Sequence, residues 1–180
     1  MTPGGGPSPE YVAERRRLEA LGSSIDSAEE IVAHIEQLSA LRARFTDEFV
    51  VLAPDGPIVW ANHEHLAWAL GESIRQALQR HRALRKHPTL WAAIETVVAD
   101  RRIGKGREPY VMLLGQYGGP SRAPLLIQLL DDPEVMGHAL YALRLLGVPG
   151  AEEKARALLD YRRGWIRKEA KSYLKKVGAL

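Results

Sequence analysis

A chain of 180 residues, 46% hydrophobic and 26% charged, suits one globular domain that buries roughly 70% of the surface exposed by its unfolded form. The absence of cysteine excludes disulfides, thiolate metal sites and thiol nucleophiles, and it fits a reducing cytoplasm. A net charge of +3 selects no class of partner, but the charge is unevenly spread: residues 10–64 carry net −6, 75–107 net +7 and 161–180 net +6.

Two Phe among abundant Ala and Leu favour helices over sheets. No apolar stretch approaches the roughly 20 residues of a membrane span, and the opening MTPGGGPSPE has neither a charged nor an apolar leader segment. A soluble, cytoplasmic protein without membrane contact is therefore expected. Arg outnumbers Lys, 18 to 7, in the manner of a GC-rich bacterial gene.

In chain order, residues 1–9 are Gly, Pro and Ser with no apolar face, which predicts a disordered tail. Tyr11 to Leu21 reads as a short helix stopped at Gly22, with Arg15, Arg16 and Arg17 on solvated faces. Ser27 and Glu30 form a capping box for a helix running to about Arg44, with Ala28, Ile31, Ile35, Leu38 and Leu41 as its buried stripe. Residues 46–62 break the helical rhythm. Phe49–Leu52 and Ile58–Trp60 are β-prone around the turn signal Pro54-Asp55-Gly56, so a small hairpin or ordered loop is expected, acting as a lid through Trp60, with a short helix starting at Thr46 as the alternative. Asn62 caps a long helix from His63 to about Lys86, with Leu66, Leu70, Ile74, Leu78 and His81 at core spacing, and Pro88 ends it.

From there one pattern recurs three times: REPYVMLLGQYG (107–118), MGHALYALRLLG (136–147) and RKEAKSYLKKVG (167–178). Counted from the first residue of each, positions +3, +6, +7 and +10 are apolar or small and +11 is glycine, which is one helix face with a stop. An apolar run precedes each: LWAAIETVVAD, APLLIQLLD and EEKARALLD. In the first and third units an Asp stands seven residues before an Arg, as Asp100–Arg107 and Asp160–Arg167, while Met136 takes the Arg position in the second. Helix pair, turn Asp, second-helix Arg and final glycine together resemble the HEAT-like repeats, in particular the short kind known from phycobilisome lyases, over residues 88–178. The resemblance implies an all-α fold, an α-solenoid of about three helix pairs stacked on N-terminal helices 10–86, within a single helical domain 10–180. It also implies that the second helices line the surface where partners bind.

Constellations that suggest chemistry have simpler readings. His63 and His65, two residues apart on a helix, point about 200° apart and cannot share an ion. GKG at 104–106 lacks the spacing and the hydroxyl of a phosphate loop, and its glycines relieve a turn. The Asp–Arg pairs are read as fasteners of each turn. No nucleophile elbow and no carboxylate set for acid–base work is present, so no enzyme, metal or cofactor is expected. Some alkylpurine DNA glycosylases have similar repeats, but no motif here carries that activity over.

If +3, +6, +7 and +10 face the core, then +1, +5 and +8 form the opposite stripe: Glu108, Met112, Gly115; Gly137, Tyr141, Arg144; Lys168, Ser172, Lys175. Met112, Tyr141, Arg144, Lys168 and Lys175 are the candidate partner-binding residues of a protein-binding scaffold that recognises an acidic protein, one version being an immunity-type or regulatory protein. The alternative is nucleic-acid binding through Arg82, Arg85, Lys86, Arg101, Arg102, Lys105, Arg162 and Arg163, with Trp91, Tyr161 and Trp165 available for stacking.

Overall fold

Ser8 opens the first helix. Its hydroxyl accepts the Tyr11 N–H at 3.1 Å, and Pro9 takes a first-turn position where its missing donor costs nothing. The computed structural model describes residues 7–46, 50–51, 58–59 and 61–180. Residues 1–6 of the expected tail, the Pro54-Asp55-Gly56 turn and Trp60 lie outside them. The chain divides after Pro109 into two compact units.

In the first unit, α1 (Pro9–Ala20), α2 (Ala28–Glu36), α3 (Leu38–Arg44), α4 (His63–Arg80) and α5 (Pro88–Ala99) are the α-helices. The single helix expected over 28–44 divides at Gln37, whose N–H reaches back to His34 O at 3.3 Å in a tighter turn. Its stripe Ala28, Ile31, Ile35, Leu38 and Leu41 is buried throughout. The capping box is shifted by one residue: Ser27 Oγ accepts the Glu30 N–H, but the Glu30 carboxylate accepts from Asp26 N–H at 3.4 Å. Between α3 and α4 lies an antiparallel pair, β1 (Val50–Val51) and β2 (Ile58–Val59), with Val50 opposite Val59 and Val51 opposite Ile58. This is the expected hairpin pairing.

Helix α4 is the core of this unit, packed by α1, α3 and the turn 101–107. Leu66, Leu70, Ile74 and Leu78 are fully buried, and Ser73 Oγ donates to Leu18 O at 2.6 Å. The helix ends at Arg80, six residues before the expected Lys86. His81 leaves helical space (φ −112°, ψ 83°) and is half-buried, not a core residue, and a 3-10 turn Arg82–Lys86 follows. The stop is held by side chains. Arg85 Nε donates to Leu78 O at 2.8 Å, satisfying a carbonyl that the helix end leaves over. Arg80 closes the loop after α1 by donating to the carbonyls of Gly22, Ser23 and Ile25.

The second unit contains α6 (Glu108–Leu113, which straddles the boundary), α7 (Ala123–Gln128), α8 (Met136–Leu146), α9 (Glu152–Ala157) and α10 (Gly164–Lys176). Each packs on its neighbours in the chain: α7 on α8, α8 on α10, α9 on α10. Gly147 and Gly178 adopt positive φ (66° and 74°) and stop α8 and α10 as the repeat pattern predicts. In the first repeat the stop moves one residue, to Gly119 (φ 83°), because Leu114–Gly118 winds as a π-helical turn that absorbs an extra residue. The fold is all-α apart from the two-residue strands, and helix pairs recur along the second unit.

A candidate docking face on the C-terminal helices

Close helix approach decides what the second helices can present. At Gly115, in the π-helical turn, an added Cβ would stand 2.4 Å from Ala142 Cα on α8. At Gly137 it would stand 2.0 Å from the Trp165 ring that opens α10. Arg144 Nε donates to Glu169 Oε2 at 2.9 Å, and its guanidinium lies 4.9 Å above the Tyr141 ring. Gly115 and Arg144 are +8 positions and Gly137 is a +1 position. In the two successive contacts these positions therefore meet the next second helix of the stack. The stripe predicted opposite the core is, at +1 and +8, the seam between repeats.

The five candidate residues are accordingly divided. Met112, Tyr141 and Arg144 are half-buried, and Arg144 has its charge paired. Lys168 and Lys175, the +1 and +8 residues of α10, are exposed and have no ion-pair partner among the described residues. Lys171 beside them is the same, and Ser172 lies between on that face. Trp165 is 43% exposed while one side of its ring covers Gly137 and His138, whose ring centroid is 5.2 Å away. Leu145 on α8 is also exposed. Sequence reasoning did not single out Leu145, although its place four residues after Tyr141 was a readable signal. Burial pushes the His138 imidazole below its ordinary pKa and the Tyr173 phenol above its own. The Tyr173 hydroxyl donates to Val148 O at 2.9 Å and accepts from Ala151 N at 3.1 Å, which pins the loop between α8 and α9 to α10.

Several of the nucleic-acid candidates are engaged within the protein. Arg85 caps α4, and Arg102 grips Asp100 with Nε and Nη2 at 2.7 and 2.8 Å. Those bonds hold the Asp100 carboxyl below its ordinary pKa. Lys105 offers its backbone N–H to Glu64, and Arg101 also has a partner. Arg82, Lys86, Arg162 and Arg163 are exposed.

The expected Asp–Arg fasteners are replaced by other bonds. Asp100 bonds Arg102, while the fully buried Arg107 donates to Gly104 O and Val98 O. Arg167 donates to the carbonyls of Tyr161 and Arg162, and Asp160 makes no ion pair among the described residues. The arginines do fasten the turns, but through backbone carbonyls, which a sequence pattern cannot display.

The HEH and GKG constellations meet each other. His63 Nε2 lies 3.1 Å from Arg102 O, Glu64 Oε2 accepts the Lys105 N–H at 3.0 Å, and Gly104 (φ 57°) has no room for a Cβ beside that carboxylate. The glycine turn cradles an anion as such turns do, and the anion is an internal glutamate. Among the described residues no three His, Asp or Glu are gathered as metal ligands. No described helix is long and apolar enough to cross a membrane.

No protein-family model matches the chain, and no curated protein does. Among solved structures, the designed armadillo repeat protein YIII(Dq)4CqI aligns with a TM-score of 0.40 and 16% identity over 96% of this chain and 95% of its own. At that TM-score the helical fold stands on the chain's own elements.

Proposed function

We propose that the protein is a non-enzymatic scaffold of HEAT-like repeats whose last helix docks an acidic, helical segment of a protein partner. One observation carries this reading. The +1 and +8 positions that close the seams between successive second helices are, in α10, the exposed lysines Lys168 and Lys175. At the preceding seam the cation in the +8 position, Arg144, is answered by a carboxylate on the next helix. On α10 that role falls to an incoming partner. Lys168, Lys171 and Lys175 repel one another at three- and four-residue spacing by roughly 0.2–0.5 kcal/mol per pair, with no carboxylate on α10 to offset it at that face. Trp165 at the rim supplies the kind of aromatic anchor that interfaces favour. The engagement of Arg85 and Arg102 within the first unit is why a protein partner is preferred here to a nucleic acid.

The test is fluorescence anisotropy with a labelled helical peptide bearing two Glu seven residues apart, at about 50 mM salt where such contacts are little screened. Binding should weaken at least about tenfold in Lys168→Glu/Lys175→Glu, because each charge pair becomes a repulsion. A control peptide with Gln in place of Glu should not bind. If a single-stranded oligonucleotide binds and the acidic peptide does not, the nucleic-acid reading replaces this one.

A further inference from the structure

On the reading just given, an acidic helix docks against α10, and the chain itself carries a helix of that description. In its acidic N-terminal part the glutamates of α1 are paired with arginines: Glu10 is held by Arg44, Glu14 by Arg17 and Glu19 by Arg15. Helix α2 differs. Glu29 and Glu36 are exposed and make no ion pair among the described residues, with exposed Ala33 between them on the same face. The order is acid, small, acid at spacings of four and three residues. The α10 face reads Lys168, Ser172, Lys175: base, small, base at the same two spacings.

We infer that α2 of one copy docks on α10 of a second copy, so that the chain associates with itself. Seven residues of helix span about 10.5 Å in both elements, so two ion pairs form in register whether the helices run parallel or antiparallel. Ala33 and Ser172 at the centre allow the axes to come as near as the roughly 8–10 Å of packed helices. The contact joins two different patches of one chain. It is either reciprocated within a two-fold dimer or repeated from copy to copy in a ring or open chain. Its strength comes from exposed charge pairs, which makes it weak and sensitive to salt.

The test is sedimentation velocity of the full chain, up to ~100 µM for a contact of this modest size, at about 50 and about 500 mM salt. The sedimentation coefficient should rise with concentration at low salt, and the rise should vanish at high salt. Lys168→Glu/Lys175→Glu and Glu29→Lys/Glu36→Lys should each remain monomeric. An equimolar mixture of the two should associate again, since the reversed α10 of one meets the reversed α2 of the other. That rescue is one a misfolded variant could not provide. A wild-type chain that stays monomeric at low salt, association that persists in Glu29→Lys/Glu36→Lys, or a mixture that remains monomeric each overturns the inference. The Glu29→Lys/Glu36→Lys protein separates the two ideas: it keeps α10 intact and should bind the acidic peptide. If it binds peptide while the wild type does not self-associate, only the second-copy partner is lost. If the wild type binds no peptide, the docking reading itself fails.

Discussion

A hydrogen atom in place of a methyl group at Gly115 lets the π-helical turn lie against α8. The obstacle to a larger residue there is backbone, Ala142 Cα at 2.4 Å, and backbone cannot step aside. Gly115→Ala should therefore lower stability by about 2 kcal/mol, the overpacking penalty exceeding the helix preference of Ala. At Gly137 the obstacle is the outer edge of the Trp165 ring, which is part-exposed and can swing out. Gly137→Ala should cost less than about 1 kcal/mol while shifting tryptophan emission to longer wavelength. Urea unfolding of the two variants checks the ordering. His138, packed by that ring, makes a second prediction at this scale. Burial depresses its pKa in the folded chain, so the unfolded chain binds the proton more readily. Stability attributable to the neutral imidazole is present above about pH 6.5, the unfolded value, and is lost as pH falls towards the lower folded pKa. His138→Asn should flatten the profile of unfolding free energy between about pH 7 and 5. At this scale the sequence was legible for buried stripes and poorly legible for polar bonds. Ile31, Leu66 and Leu174 follow from helical spacing alone, whereas the partners of Asp100 and Arg167 depend on where turn carbonyls point.

Helix ends show what local signals can and cannot carry. Ser27 was readable as a cap, since a hydroxyl before an apolar-periodic run has one obvious use, and Ser27→Ala should cost about 1 kcal/mol in urea unfolding. The end of α4 was not readable, because His81 and Leu84 continue the helical spacing beyond Arg80 and the stop is made by Arg85 folding back onto Leu78 O. The π-helical turn was hidden for a related reason. The adjacent glycines Gly118 and Gly119 both fit a stop signal, and only the extra residue in the turn moves the stop to the second. Between elements, Arg144 and Glu169 join α8 to α10 with both side chains mostly withdrawn from solvent. A double-mutant cycle with Arg144→Met and Glu169→Gln should return a coupling of about 1 kcal/mol, at the upper end for such pairs because the Tyr141 ring holds the guanidinium in place. A coupling near zero would mean that the seam is held by the packing of α8 on α10, Gly137 against Trp165 included, without help from the ion pair.

Over the molecule as a whole, the all-helical class and the recurrence of helix pairs were open to a sequence reading, because glycine stops and apolar spacing are local and repeat. The use of the +1 and +8 positions was not. A residue that faces away from its own unit's core looks like surface until the next unit is placed against it. That distinction explains why α10 differs from α8 despite sharing its pattern. In a stack, a second helix whose outer side is uncovered needs that side to be polar. Lys168 and Lys175 meet that need where Gly137 and Arg144 meet a neighbour. A chain ended at Gly150 removes α9 and α10 and leaves α8 as the last second helix. It uncovers the Gly137 side of α8 and removes the Tyr173 hydroxyl that holds Val148 O. The truncated chain should bind a hydrophobic dye such as anilinonaphthalene sulfonate and aggregate on warming, whereas full-length Lys168→Gln/Lys171→Gln/Lys175→Gln should do neither. The comparison separates the two contributions of α10, because glutamine keeps a polar cover while removing the charge. If the truncated chain stays monomeric and unfolds cooperatively, α8 does not depend on its cover, and the exposed lysines of α10 have no capping role to fall back on.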